Sequence, residues 1–215
     1  MSRRSLREAR RYVVAALLVE LALAPLGLLR GRLLLGTGLA CLLFFRDPSR
    51  TPRPEPDTLY APADGRVVGV DTVAEKWLAD GEALRISTFL AVYDVHVTRS
   101  PAAGWVALAE ETPGGFAPAF LTRASANRRK RLAIDGEGRR VVLVQIAGML
   151  ARRISSWAWL GDRVTAGQRI GLIHFGSRAE VLVPAAEARA LVGVGQRVRA
   201  GITPIACYVA GERAA

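Results

Sequence analysis

Three residues that could share a proton are spread along this 215-residue chain: Asp64, His96 and Ser177. A serine hydroxyl is a poor nucleophile unless a base takes its proton. An unperturbed imidazole titrates near pH ~6.5, so His96 can both take a proton and return it. A carboxylate such as Asp64 can fix the imidazole tautomer and stabilise its charged form. Each residue also has a plainer reading from pattern alone. Gly176-Ser177 stands between two apolar runs and reads as a hairpin turn. Asp64 precedes Gly65 and reads as a turn former, while His96 alternates with Val95 and Val97 and projects from the opposite strand face. His174, three residues before Ser177, reads as structural.

Metal chemistry fits the composition poorly. The only histidines are His96 and His174, and the two cysteines, Cys41 and Cys207, lie far apart. They make neither a zinc-ligand pattern nor a disulfide framework, so no metal is expected and the compartment reads as reducing.

The elements that must position these residues fall into three stretches. Residues 1–46 are expected to form a membrane-associated helical hairpin. Arg3, Arg4, Arg7, Arg10 and Arg11 precede an apolar run at 13–29, broken by Glu20 and Pro25, and Arg30-Gly31-Arg32 separates it from a second run at 33–45. The first run is barely long enough to cross a bilayer and the second is too short. Two full crossings would set Arg30 and Arg32 outside, against the positive-inside bias, so a shallow hairpin on the cytoplasmic face of the cell membrane fits better. A single crossing stays open. A cleaved signal peptide fits less well, because the apolar stretch resumes after Arg32.

Residues 47–57 are polar and proline-rich and read as a linker. Residues 58–215 change texture to short β-rich runs between glycine turns, at 66–70, 83–89, 141–146, 169–175 and 179–183. Residues 184–191 could form a short helix. The expected fold is mainly β with minor helix, of the α+β class, built on an antiparallel β domain. Ala61-Pro62-Ala63-Asp64-Gly65-Arg66-Val67 loosely resembles residues 161–171, and both look like pieces of a biotinyl or lipoyl carrier sandwich. Neither contains the lysine a carrier needs. The net charge of +11 favours anionic partners such as acidic lipid headgroups. The basic stretch 123–131 reads as a loop. It lacks aromatic interleaving, a recognition helix or a zinc module, so nucleic acid is not expected as a partner.

Five segments, in order, resemble the phosphatidylserine decarboxylase family. They are Phe44-Phe45-Arg46-Asp47-Pro48, Ala61-Pro62-Ala63-Asp64-Gly65, residues 93–101 around His96, Gln145-Ile146-Ala147-Gly148 with Ala151-Arg152-Arg153-Ile154, and Phe175-Gly176-Ser177. The compact length and Gly176-Ser177-Arg178 resemble the family's short-form branch. The resemblance implies a proenzyme that cleaves itself between Gly176 and Ser177. Ser177 attacks the Gly176 carbonyl, the resulting ester is expelled by β-elimination, and hydrolysis leaves a pyruvoyl group. The products are a β chain, 1–176, and an α chain, 177–215, which stay together. The pyruvoyl group is then the covalent cofactor, with no metal and no pyridoxal phosphate. It forms a Schiff base with the serine headgroup amine of a phospholipid, and loss of CO2 yields phosphatidylethanolamine.

In this family an aspartate, a histidine and a serine act together in self-cleavage, which points to Asp64, His96 and Ser177. Longer members carry a second histidine three positions after the first, where this chain has Arg99. Arg178, next to the pyruvoyl group, is a candidate for binding substrate carboxylate or phosphate, and equally a candidate for a solvated strand arginine. A homodimer is a family expectation. Archaetidylserine would present the same headgroup chemistry. The reading from a different class is a noncatalytic membrane-anchored β-sandwich adaptor, which should insert a long helical hairpin between residues 70 and 161.

Overall fold

The computed structural model describes residues 2–27, 31–79, 81–115, 126–148, 153–174 and 177–209. The chain divides into two compact units, Met1–Ser49 and Arg50–Ala215.

The first unit is two helices, α1 (Arg3–Leu23) and α2 (Arg32–Phe44). Ser2 caps α1 by accepting from the Ser5 amide at 3.2 Å. Glu20 interrupts the apolar run for a reason the sequence did not disclose. Its carboxylate accepts from the amides of Gly31 and Leu34 at the start of α2, where unpaired N–H groups and the helix dipole favour an anion. The helices run antiparallel, since the Ser5 hydroxyl meets the Phe45 carbonyl and the Tyr12 and Phe45 rings lie 5.5 Å apart. Among the described residues, no helix is long and apolar enough to cross a membrane. The unit nevertheless exposes Leu18, Leu21, Leu35, Leu39, Leu42 and Leu43, each more than half accessible.

The second unit is mainly antiparallel β, as expected. Its strands are β1 (Thr58–Tyr60), β2 (Gly65–Ala74), β3 (Glu82–Leu90), β4 (Val97–Arg99), β5 (Gly104–Thr112), β6 (Arg129–Gly136) and β7 (Arg139–Ile146). They continue with β8 (Ile154–Ser156), β9 (Arg163–Val164), β10 (Arg169–Ile173), β11 (Ser177–Pro184), β12 (Ala188–Ala190), β13 (Arg197–Val198) and β14 (Pro204–Tyr208). An eight-stranded sheet has the order β13-β2-β3-β11-β7-β6-β5-β9, and β4-β10-β8 and β1-β14-β12 form two three-stranded sheets. Strand β11 lies between β3 and β7 and is buried along its whole length, with Val181 and Val183 in one apolar cluster and Leu182 in another. Two-sided burial explains why Glu180 is the one charged residue between Ala179 and Val183.

Two expectations are corrected. Residues 184–191 form a turn and the short strand β12, not a helix. In the basic stretch, Arg129, Lys130 and Arg131 begin β6 and are not a loop. Lys130 is buried under the Trp159 ring, 4.5 Å from its centroid, and burial lowers its pKa. Residues 123–125 of that stretch lie outside the described residues.

The similarity noted within the sequence also pairs differently in three dimensions. Pro62-Ala63-Asp64-Gly65-Arg66-Val67 matches Pro101-Ala102-Ala103-Gly104-Trp105-Val106, and residues 161–167 match 195–201 as Gly-x-Arg-Val-x-Ala-Gly. The hydrogen bonds repeat accordingly. The Gly201 amide donates to Ala61 and the Gly167 amide to Ser100, both at 2.8 Å. The Val67 amide donates to Gln196 and the Val106 amide to Asp162, both at 2.9 Å. Gly65 and Gly104 have φ of 153° and 159°, and a Cβ at either would strike the backbone of the neighbouring strand. The β unit thus contains an internal two-fold repeat.

Candidate active site

Four of the singled-out segments converge at one end of the eight-stranded sheet. Gly65 begins β2, Leu90 ends β3, Ser177 begins β11 and Ile146 ends β7. Ser177 pairs with Leu90, and Arg178 pairs with both Phe89 and Ile146. A buried apolar cluster of Ala63, Leu90, Ala147, Ile154, Ile173 and Ala179 joins these ends. Asp64, His174 and Ser177 stand one or two residues from its members.

The chain leaves the β4-β10-β8 sheet at Ile173 and enters the large sheet at Ser177, so Ser177 begins where the chain crosses between two sheets. Gly176, the other half of the expected cleavage site, lies outside the described residues. Ser177 is fully buried, and its Oγ has no hydrogen-bond partner among the described residues. A buried hydroxyl without a partner is costly, so such a group in a native structure calls for a reason.

His96 stands just before β4, and its carbonyl accepts from the Ile173 amide at 3.2 Å. Thr98, two residues on, lies within β4. The Gln145 side-chain amide, on β7, donates to the Thr98 hydroxyl at 2.6 Å, which ties the small sheet to the large one. Gln145 pairs with Ala179, two residues beyond Ser177 on β11. The Thr98 hydroxyl therefore reaches the face of the large sheet that carries Ala179 and Ser177, and His96 stands two residues before it. Gly171 allows the close approach, because a Cβ there would come within 2.8 Å of the Gln145 amide nitrogen. Cutting this tie with Gln145→Leu leaves the Thr98 hydroxyl buried without that partner. The expected loss is roughly 1–3 kcal/mol of stability, read by urea unfolding of uncleaved protein.

His96 is fully buried and its Nδ1 lies 2.9 Å from the Asp94 carbonyl oxygen. A carbonyl can only accept, so Nδ1 carries the proton and the neutral ring offers Nε2 as its basic nitrogen. The tautomer is therefore set by a backbone carbonyl, and the expectation that Asp64 sets it is corrected. Both Asp64 oxygens accept from the Arg50 guanidinium at 2.6 Å, and Oδ1 also accepts from the Ala200 amide at 2.8 Å. Asp64 stays at this end of the sheet, immediately before β2 and two strands from Ser177, roughly 10 Å away by strand spacing.

Arg178 is the second residue of β11. It alternates with Ser177 to the opposite face of β11 and is buried with its Nε 2.9 Å from Glu180. It is not a solvated strand arginine. His174 is buried, with its Nε2 3.0 Å from the Ser155 Oγ, in keeping with a structural role. Arg99, at the position of the second histidine of longer relatives, is buried and donates to the Gly167 carbonyl at 2.9 Å.

Residues 38–206 match the sequence model of the family described as phosphatidylserine decarboxylase, and the match spans all four converging segments. The chain belongs to the phosphatidylserine decarboxylase family. A phosphatidylserine decarboxylase proenzyme of Symbiobacterium thermophilum is 47% identical over 81% of this chain and 82% of its own length. Proteins of the same name from Polynucleobacter asymbioticus and Burkholderia mallei are 46% and 45% identical, each over 76% of their own length.

Sequence reasoning missed two parts of this phosphatidylserine decarboxylase site. Thr98 and Gln145 stand in two of the segments quoted above, but their pairing across 47 residues leaves no local signal. Arg50 lies in the proline-rich strap, 14 residues before the carboxylate it holds. Its charge was visible, but its partner was not.

Proposed function

We propose that this chain is a self-cleaving, pyruvoyl-dependent carboxy-lyase that converts phosphatidylserine to phosphatidylethanolamine and CO2. The observation that carries the reading is the Ser177 hydroxyl, buried without a hydrogen-bond partner among the described residues at the start of β11, in a chain of this family. The adaptor alternative loses its support, since the described residues between 70 and 161 form strands and no helical hairpin.

In self-cleavage, His96 Nε2 takes the Ser177 proton and Oγ attacks the Gly176 carbonyl. The amide becomes an ester as the Gly176 acyl carbon exchanges its bond to the Ser177 nitrogen for one to Ser177 Oγ, and that nitrogen takes up a proton to become a free amine. Removal of the Ser177 α-proton breaks the Cβ–O bond, giving a Gly176 carboxylate and a dehydroalanine at the start of the new chain. Water then replaces its nitrogen, releasing ammonia and leaving a ketone. The surroundings fit such a terminus: a buried position, beside an apolar cluster that excludes water. The pyruvoyl group supplies an electron sink for the electrons the substrate carboxylate leaves behind. His96 is positioned to hold and return the proton that replaces CO2.

The helical unit supports association with an anionic membrane face, because α1 and α2 combine exposed leucines with an arginine-rich start. The internal repeat supports reading the β unit as two biotinyl- or lipoyl-like halves.

The test uses protein purified with its membrane lipid. A denaturing gel with intact mass is expected to give two fragments, residues 1–176 and a smaller one from 177 that is lighter than a serine terminus and blocked to Edman degradation. Phosphatidylserine vesicles should yield phosphatidylethanolamine. A single uncleaved 23.1 kDa chain without turnover overturns the proposal.

A further inference from the structure

We propose that Arg50 is a positioning residue for self-cleavage, one that holds the Asp64 carboxylate at the reactive end of the large sheet. The inference rests on the self-cleaving reading above.

The internal repeat carries the argument. The turn at 62–67 has a second copy at 101–106, with the same glycine conformation and the same backbone hydrogen bonds. In that copy the residue matching Asp64 is Ala103. The turn therefore closes without a carboxylate, and Asp64 is not the price of Gly65 or of this backbone path.

Something other than the fold must account for a charged pair here. The side chains of Arg50 and Asp64 are only 10% and 15% exposed, so both ions lose most of their hydration. A buried ion pair seldom gains stability over apolar residues of similar volume. What it gains here is orientation. Both guanidinium nitrogens grip both carboxylate oxygens at 2.6 Å. The same Arg50 donates to the Ala200 carbonyl at 2.7 Å, while the Ala200 amide donates to Asp64 at 2.8 Å. Three donors fix one carboxylate in a single orientation, beside the Ala63 and Leu90 that pack against the Ser177 strand. Arg50 touches none of the reacting groups among the described residues, so it acts through Asp64.

The decisive variant is Arg50→Leu with Asp64→Ala, which copies the uncharged turn found at Ala103. Self-cleavage is followed by gel after synthesis in a cell-free system with lipid vesicles, and folding by thermal melting in a Ser177→Ala background. The double variant is expected to melt within a few degrees of its parent while its cleavage slows about a hundredfold or more, as misplacement near a reacting centre does. Arg50→Lys keeps the charge but not the two-pronged grip, and it should recover part of the rate relative to Arg50→Leu. A double variant that cleaves at the parental rate overturns the proposal. So does one that no longer folds, because the pair would then be a requirement of the fold. If the parental chain itself does not cleave, the failure lies with the self-cleaving reading and not with Arg50.

Discussion

Ser177→Ala is expected to give one uncleaved chain, no phosphatidylethanolamine, and a protein at least as stable as the parent. The first two outcomes have one cause. Alanine has no oxygen to attack the Gly176 carbonyl, so neither the ester nor the ketone can form, and decarboxylation loses its electron sink. The third follows from packing. Ser177 is fully buried and its Oγ lacks a hydrogen-bond partner among the described residues, so the hydroxyl pays a desolvation cost without return. Removing it should be neutral or stabilising by about 1 kcal/mol, on the scale of one unmade hydrogen bond. Intact mass, vesicle turnover and urea unfolding of the same preparation measure all three. A variant that still splits, or that unfolds several kcal/mol more easily, would show that the hydroxyl has a structural partner and not a chemical task.

The second large effect belongs to His96. Its Nδ1 is committed to the Asp94 carbonyl, so in the proposed reaction the base is Nε2. His96→Asn keeps a donor near Nδ1 and removes the basic nitrogen. A positioned general base contributes roughly 10²–10⁴ in rate, so cleavage should slow by about that factor while the fold persists. Turnover expressed per cleaved chain then separates the two tasks. A fall in both assigns His96 to processing and decarboxylation alike. A fall in cleavage alone restricts it to processing. Parental rates in both assays would remove His96 from the chemistry and return attention to the position of Arg99.

Much of this is legible in the sequence. The short β-rich runs at 83–89, 141–146 and 179–183 lie within β3, β7 and β11. Ser177 was legible only through resemblance, since Gly-Ser in isolation says turn. The helix expected at 184–191 failed for a different reason. Its local composition permits a helix, but pairing of β12 with β14 supplies backbone partners that a lone turn of helix could not match. The repeat was half visible. Residues 61–67 were matched to 161–171, whereas register and hydrogen bonding match them to 101–106, because each half contributes both kinds of segment to the fold.

The sequence by itself determined the family, the order of its motifs, the β-rich texture and the identity of the nucleophile candidate. These depend on residue type and local spacing, which a linear chain carries. The tertiary structure alone decided that Asp64 answers to Arg50, that a carbonyl orients His96, that Arg178 turns away from Ser177 toward Glu180, and that Gln145 ties one sheet to the other. Hydrogen bonds and ion pairs act over about 3 Å, and which groups come that close is set by strand register and sheet crossing, not by distance along the chain.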